Sequence, residues 1–266
     1  MITAVDVGAT KTLVAQFDKG LRPIGQSRFL TPHNTDEFLQ QLEDHLSAFD
    51  AIDSLTVGVP GIIDYEGVVL RCSNLPWKHF ALRHHLNARY QVPVYIQNDA
   101  KLAALAEINH LPHVPHLGLY LTVSTGIGSG VIIDGKLLPA FYSGEAGHMR
   151  VYFEGKWQQW QKFASGSALV KHFGKRAEDF TRESEWREVA DRLGRGLNCL
   201  IPALMPDVIV FGGGVGNYFE HFDEELYEKI SILEPYIDLP KLVKAHHPNE
   251  AVLFGCYYYA THQLPS

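Results

Sequence analysis

The sequence predicts an α/β protein built from two related halves, and three observations carry that reading. Apolar, β-branched stretches of strand length alternate with longer stretches of strong helix formers. A unit of strand, small-residue turn and strand opens the chain and recurs about a hundred residues later. The chain has 266 residues, which at ~100–200 residues per domain means one large domain or two lobes with a sizeable core.

The first unit runs from Ile2 to Asp18, two strands joined by a tight turn at Gly8-Ala9-Thr10-Lys11. Its flanks are β-branched and apolar, and glycine at the tip accepts conformations that other residues resist. A helical stretch near Thr35–Phe49 follows, then an apolar strand at Leu55–Val59 ended by Pro60-Gly61, and a short strand at Val68–Arg71. A helix over 79–90 leads to a strand at Val92–Gln97. That strand stops at Asn98-Asp99, and the helix formers of Ala100–Asn109 come next. The two prolines and absent periodicity of LPHVPHLG mark a crossing between halves.

The second unit comprises a strand at Leu117–Ser124, a turn over Thr125–Gly130, and a strand at Val131–Ile133 closing on the hairpin signal Asp134-Gly135. Helices are expected near 166–178 and 184–204. A strand at Asp207–Phe211 runs into Gly212-Gly-Gly-Val-Gly216, and a final helical stretch covers 251–263. No low-complexity segment interrupts this order.

Composition removes several classes of function. Hydrophobic residues make up 46% and charged residues 20%, ordinary globular usage. Lys plus Arg 23 against Asp plus Glu 30 gives a formal charge of −7, which repels nucleic acid and anionic lipid. Cys72, Cys199 and Cys256 form no CxxC pair, so neither a disulfide framework nor a thiolate zinc site is expected. With no signal-like opening and no apolar run of ~18 residues, a cytoplasmic protein without a membrane partner is the expectation.

The residues suited to chemistry sit at turns. Gly8, Thr10 and Lys11 occupy the first hairpin tip, and Thr125, Gly126 and Gly128 the second. Bare glycine lets backbone N–H groups approach anionic oxygens, and threonine adds a hydroxyl donor, so such tips suit phosphate. Taken singly, each reads first as an ordinary hairpin with a turn glycine, and the repetition points to phosphate. No Walker A pattern occurs, and no GxGxxG stands at a first strand-to-helix turn. Gly212–Gly214, between strand and helix, would lie flat against a planar group such as adenine or simply turn the chain. Asn98-Asp99 lies where a strand ends and a helix begins, the crevice position of open α/β sheets. An aspartate there either deprotonates an attacking hydroxyl or caps the helix. Gly144-Glu145-Ala146-Gly147-His148 pairs a carboxylate with an imidazole, a combination able to hydrogen-bond vicinal hydroxyls, or a satisfied loop histidine. The other histidines show no metal-ligand spacing, and His84-His85 and His246-His247 read as solvated or partly packed. Tyr257-Tyr258-Tyr259 reads as packing for the final helix.

The motifs VDVGATKT, VGVPGIID, SNLPW, QNDAKLAALAE, LTVSTGIGSGVIIDGK, GEAGHM, ASGSAL and VFGGGVG, in this order and spacing, resemble the ROK family of repressors, open reading frames and sugar kinases. The resemblance covers most of the chain. It implies an α/β, two-lobed ribonuclease-H-like or actin–hexokinase type fold with ATP and sugar meeting in a central cleft. Residues 1–110, joined by the C-terminal helix 251–266, would form the N-terminal lobe, and 111–250 the C-terminal lobe. Residue by residue, it implies Asp99 as catalytic base and Asn98, Gly61, Asn74, Glu145 and His148 as sugar contacts. Gly8, Thr10 and Lys11 resemble the first phosphate loop, Thr125, Gly126 and Gly128 the second, and Gly213 and Gly214 the adenosine segment. Asp6 resembles the residue that faces Mg²⁺ through water. The resemblance is compatible with a homodimer.

One departure stands out. Family members usually follow the GEIGH-type motif with a cysteine-rich zinc segment, whereas Met149–Phe163 reads MRVYFEGKWQQWQKF. His148 alone cannot keep a structural zinc, so no zinc is expected there, and Tyr152, Trp157 and Trp160 are expected to hold the segment by packing. The family's sugar-contacting Glu falls at Gln161, whose amide donates as well as accepts. The leading expectation is an ATP- and Mg²⁺-dependent kinase acting on a hexose or hexose derivative, of glucokinase, fructokinase or N-acetylhexosamine kinase type. The alternatives are a non-catalytic sugar- or nucleotide-binding protein and a regulator. Regulators of the family carry a helix-turn-helix domain ahead of the VDVGATKT-type strand, which this sequence lacks.

Overall fold

The computed structural model describes residues 1–49, 51–72, 74–235, 237–247 and 250–263. The last residues of the helix expected over 251–266 lie outside the described residues. The chain divides into two compact units, Met1–Ala106 with Asn249–Ser266, and Glu107–Pro248.

The first unit is built on a five-stranded sheet. β1 (Ile2–Val7) and β2 (Lys11–Phe17) form the expected antiparallel hairpin, with Val7 opposite Thr12 at the tip. β3 (Pro23–Leu30) extends it as an exposed edge strand. Its inward positions are Gly25, Ser27 and Phe29, so only one large apolar residue marks the inner face and little hydrophobic alternation announces it. Helix α1 (Thr35–Leu46) buries Phe38, Leu42 and Leu46, one stripe at helical spacing. The Asn34 side chain caps it, accepting the backbone N–H groups of Asp36 and Glu37 at 2.9 and 3.0 Å.

β4 (Ser54–Val59) pairs parallel with β1 and is buried throughout, as a central parallel strand should be. β5 (Gly61–Ile63), β6 (Val69–Cys72) and β7 (Lys78–Phe80) form a small separate sheet. The helix expected from residue 79 starts later, as α2 (Leu82–Arg89), because the β6–β7 pairing claims Lys78–Phe80 and His79 sits at φ +50°. β8 (Val94–Asn98) then pairs parallel with β4, giving the order β3-β2-β1-β4-β8, and α3 (Asp99–His110) leaves its end. The C-terminal helix, Ala251–Gln263, packs against β1 and β4. A Cβ on Gly255 would stand 1.9 Å from the Leu102 carbonyl oxygen, so only glycine permits this approach to α3.

The second unit repeats the plan. β9 (Leu117–Val123) and β10 (Ile127–Ile133) form an antiparallel hairpin turned at Ser124–Gly126, and Asp134-Gly135, with φ +48° and +74°, makes a second tight turn after β10 that is closed by an Ile133–Lys136 bridge. β11 (Arg150–Phe153) and β12 (Lys156–Gln159) make a separate hairpin. They lead into α4 (Gln161–Ala164), α5 (Gly166–Phe173) and the long α6 (Glu183–Leu204). β13 (Val208–Gly212) pairs parallel with β9, followed by α7 (Gly213–Gly216), α8 (Asp223–Ile230) and β14 (Lys241–Lys244). The sheet order is β10-β9-β13-β14. Its hairpin-plus-parallel-strand core, β10-β9-β13, matches β2-β1-β4 of the first unit and is the physical form of the sequence repeat.

Candidate active site

In the first unit the expected site residues collect at one edge of the sheet. Register places Asp6 beside Gly58 and Val59 beside Asn98, so β1, β4 and β8 end side by side. Asp6, the Gly8–Lys11 turn, Gly61 and Asn98-Asp99 all lie at these carboxyl ends, where open α/β sheets place ligands.

Each position has a local cause. The Gly8 N–H donates to the Lys11 carbonyl at 3.0 Å, and a Cβ on Gly8 would stand 2.8 Å from that oxygen. Thr31, just beyond β3, donates its hydroxyl to the Gly8 carbonyl at 2.8 Å and pairs with the Thr12 hydroxyl at 2.9 Å. Thr31 thus buttresses the turn. Its role was hidden in the sequence because β3 carries no strand pattern.

Gly61 has φ +155°, and a Cβ there would stand 2.2 Å from the Arg71 carbonyl oxygen. Asn98 donates through Nδ2 to the Gly61 carbonyl at 2.9 Å, and its Oδ1 accepts the Lys101 N–H at 3.2 Å. The side chain therefore ties the β4–β5 turn to the first turn of α3. It also does the capping that the sequence offered to Asp99, whose Oδ1 accepts the adjacent Ala100 N–H at 2.8 Å. Exposed Asn74 follows two residues after Cys72, the register partner of Gly61.

Half-buried Asp6 is pushed up to about 7, first by lost hydration and then by the negative charge of Asp99, against the pull of Lys11. Two carboxylates close enough to repel each other, at a phosphate-suited turn, are hard oxygen donors that fit a divalent cation such as Mg²⁺.

The second unit gathers its own group. The Thr125-Gly126 turn leaves β9, and the Ser124 N–H donates to the Gly126 carbonyl at 2.9 Å. Gly128 lies just inside β10 opposite Thr122. Gly213 has φ +79°, and a Cβ there would stand 2.7 Å from both Thr122 Oγ1 and the Val123 carbonyl oxygen, so this turn is pressed onto the end of β9. A Cβ on exposed Gly214 would meet nothing within 4 Å, which leaves that backbone open to a flat ligand. Gln161 Oε1 lies 2.8 Å from where a Gly126 Cβ would stand, so this side chain borders the second loop.

Glu145 and His148 flank a short 3-10 turn, Ala146–His148, docked on β10. The Ala146 N–H donates to Ser129 Oγ at 3.0 Å, and a Cβ on Gly147 would stand 2.1 Å from the Ile127 carbonyl oxygen. Glu145 is half-buried and His148 exposed.

The segment after His148 is the β11–β12 hairpin. Tyr152 and Trp157 are directly opposed, 5.7 Å apart edge to face, on its outer face, and are 54% and 62% exposed. The expected packing role of Trp157 and Tyr152 is therefore corrected: strand alternation sends Val151 and Phe153 inward and these two outward. Trp160 is fully buried, as expected, with its indole Nε1 donating to the Arg192 carbonyl at 3.1 Å.

Two hairpin-led α/β units with small-residue turns at the carboxyl ends of their central strands define the class of actin-like ATPases and sugar kinases. Residues 2–263 match the ROK family, and the chain belongs to it. The ROK hexokinase of Thermus thermophilus superposes with a TM-score of 0.83 at 29% identity, over 98% of each chain. The N-acetyl-D-glucosamine kinase of Pectobacterium carotovorum is 30% identical over 293 residues, 93% of this chain and 94% of that one. A xylose repressor of Caldicellulosiruptor bescii is also 30% identical, over 75% of this chain, which spans 60% of that repressor's length. Relatives of this chain are thus both sugar kinases and repressors. No helix among the described residues is long and apolar enough to cross a membrane.

Proposed function

We propose that the protein is an ATP-dependent kinase that phosphorylates a hydroxyl of a hexose or hexose derivative, with Asp99 as general base. The observation that carries this reading is the placement of Asp99 beside Asp6, at the strand end next to the glycine turn Gly8–Lys11. In this reaction the Asp99 carboxylate accepts the proton of the sugar hydroxyl. The hydroxyl oxygen forms a bond to the γ-phosphorus as the bond to the β–γ bridging oxygen breaks, releasing ADP and sugar phosphate. Backbone N–H groups and hydroxyls of Gly8–Lys11 and Thr125–Gly128 hold the phosphates, and Gly213 and Gly214 lie against adenosine. Asp6 would face Mg²⁺, which when bound would supply positive charge to the phosphate oxygens. Gly61, Asn74, Asn98, Glu145, His148 and Gln161 hydrogen-bond the sugar.

ADP release measured against free hexoses, amino sugars and N-acetylated sugars tests the proposal. At least one sugar is expected to drive turnover, and Asp99→Asn to lower it by ~10²–10⁴-fold. Binding of a sugar without turnover on any of them would overturn the kinase reading. It would favour the second one, a sugar-responsive binding or regulatory protein, which the similarity to the xylose repressor supports.

A further inference from the structure

Glu107, near the end of α3, is 2% exposed. Its carboxylate accepts the backbone N–H groups of His246 and His247 at 2.6 and 2.7 Å, from 139 residues away in sequence. This clamp fixes the chain where it leaves β14 and brings two imidazoles to His110, the last residue of α3. The His110 and His246 rings stack, centroids 3.8 Å apart and 16° from parallel. The His247 ring stands edge-on to both, at 4.7 Å and 81° and 83°. One ring nitrogen from each residue lies within 4.8 Å of the others.

We propose that His110, His246 and His247 form a binding site for a divalent transition-metal ion, zinc foremost, with water completing the shell. Imidazole is a preferred ligand for zinc, copper and nickel. At zinc–nitrogen distances of ~2.0–2.1 Å, tetrahedral ligand nitrogens stand about 3.3 Å apart. The rings therefore need to close by no more than about 1.5 Å, and His110 and His246, both exposed, have the rotational freedom to do so. His247 Nδ1 is 3.3 Å from Glu107 Oε1. A carboxylate this close can hydrogen-bond the ring once it turns toward an ion, which would orient a ligating imidazole and raise its basicity. The bound ion would pin the end of α3 to the exit of β14. None of these four residues belongs to the proposed sugar or nucleotide contacts, so the site stands independently of the kinase reading. Linear spacing concealed it, because the ligands converge only through the fold.

The test uses the tag-free full chain, stripped with a chelator, freed of it, and titrated calorimetrically with Zn²⁺ and spectroscopically with Co²⁺. One saturable ion per chain is expected, with the visible bands of tetrahedral Co²⁺. His110→Ala and His246→Ala, exposed positions at which circular dichroism should show an intact fold, are each expected to weaken binding by ten-fold or more. Glu107→Gln is expected to weaken it by ~10–100-fold, and His148→Ala to leave it unchanged. No saturable binding, or unchanged binding in both folded histidine variants, would overturn the site. Loss of the ion in His148→Ala alone would do the same by assigning it to the other loop.

Discussion

At Asn98 and Asp99 neighbouring side chains divide two tasks. Asn98 bonds both the Gly61 carbonyl and the Lys101 N–H, so Asn98→Ala is expected to cost ~0.5–2 kcal/mol in a denaturant titration. Asp99→Asn should leave that stability near wild type while removing turnover. The two phosphate-loop glycines also differ. A side chain at Gly8 meets the Lys11 backbone, which cannot move without opening the turn, whereas one at Gly126 meets the tip of Gln161, which can swing aside. Gly8→Val is expected to abolish nucleotide binding, and Gly126→Ala to raise the ATP KM and disturb the sugar KM through Gln161. Unchanged nucleotide affinity in both variants would remove the phosphate-loop assignment.

Aromatic packing holds the β11–β12 hairpin and α4 to α6. Trp160 fills the space above Gly196, whose Cβ would fall 2.1 Å from the indole ring, and Phe153 stacks on Phe163 with centroids 4.3 Å apart. Trp160→Ala is expected to destabilise by ~3–5 kcal/mol, and Trp157→Ala, on the wet face, by no more than ~0.5 kcal/mol. Equal effects in thermal or denaturant melts would contradict the observed facing of the hairpin. At the start of α6 the Glu185 carboxylate accepts the Thr181 and Arg182 N–H groups and pairs with Lys175 and Arg182. The Lys175 contact first, and the Arg182 N–H next, hold it down at about 2, against an ordinary 4.5. Because the folded value is the lower one, the stabilisation is fully present above about pH 4.5 and disappears as pH falls through about 2. Melting wild type and Glu185→Gln across that range should show the wild-type advantage shrinking as acid is added.

For the whole molecule, a formal charge of −7 opposes the counterion release that drives DNA association. The chain as it stands is expected not to shift duplex DNA at physiological salt. A sequence-specific, sugar-sensitive shift in a gel assay would instead move it toward the repressor side of its family. The repeated hairpin-plus-parallel-strand core gives each unit a small-residue turn at the same strand ends.

What the sequence determined by itself was local or repeated. Val-Asp-Val-Gly-Ala-Thr and Thr-Val-Ser-Thr-Gly announced two hairpins, because alternating apolar residues and a turn glycine act within a few residues of one another. Helices α1, α3 and α6 were legible for the same reason, through composition and apolar spacing. Edge strands β3 and β14 and the hairpin β11–β12 were not, since inward Gly25 and Ser27 in β3, outward Tyr152 and Trp157 in the hairpin, and the brevity of β14 leave little period-two contrast between the faces. Only the tertiary structure decided that Asn98 caps α3, that Trp160 is buried and Trp157 is not, and that His110, His246 and His247 meet over Glu107. These outcomes depend on register and on contacts between distant segments. A linear pattern records how much burial a residue prefers, and packing chooses the partner that provides it.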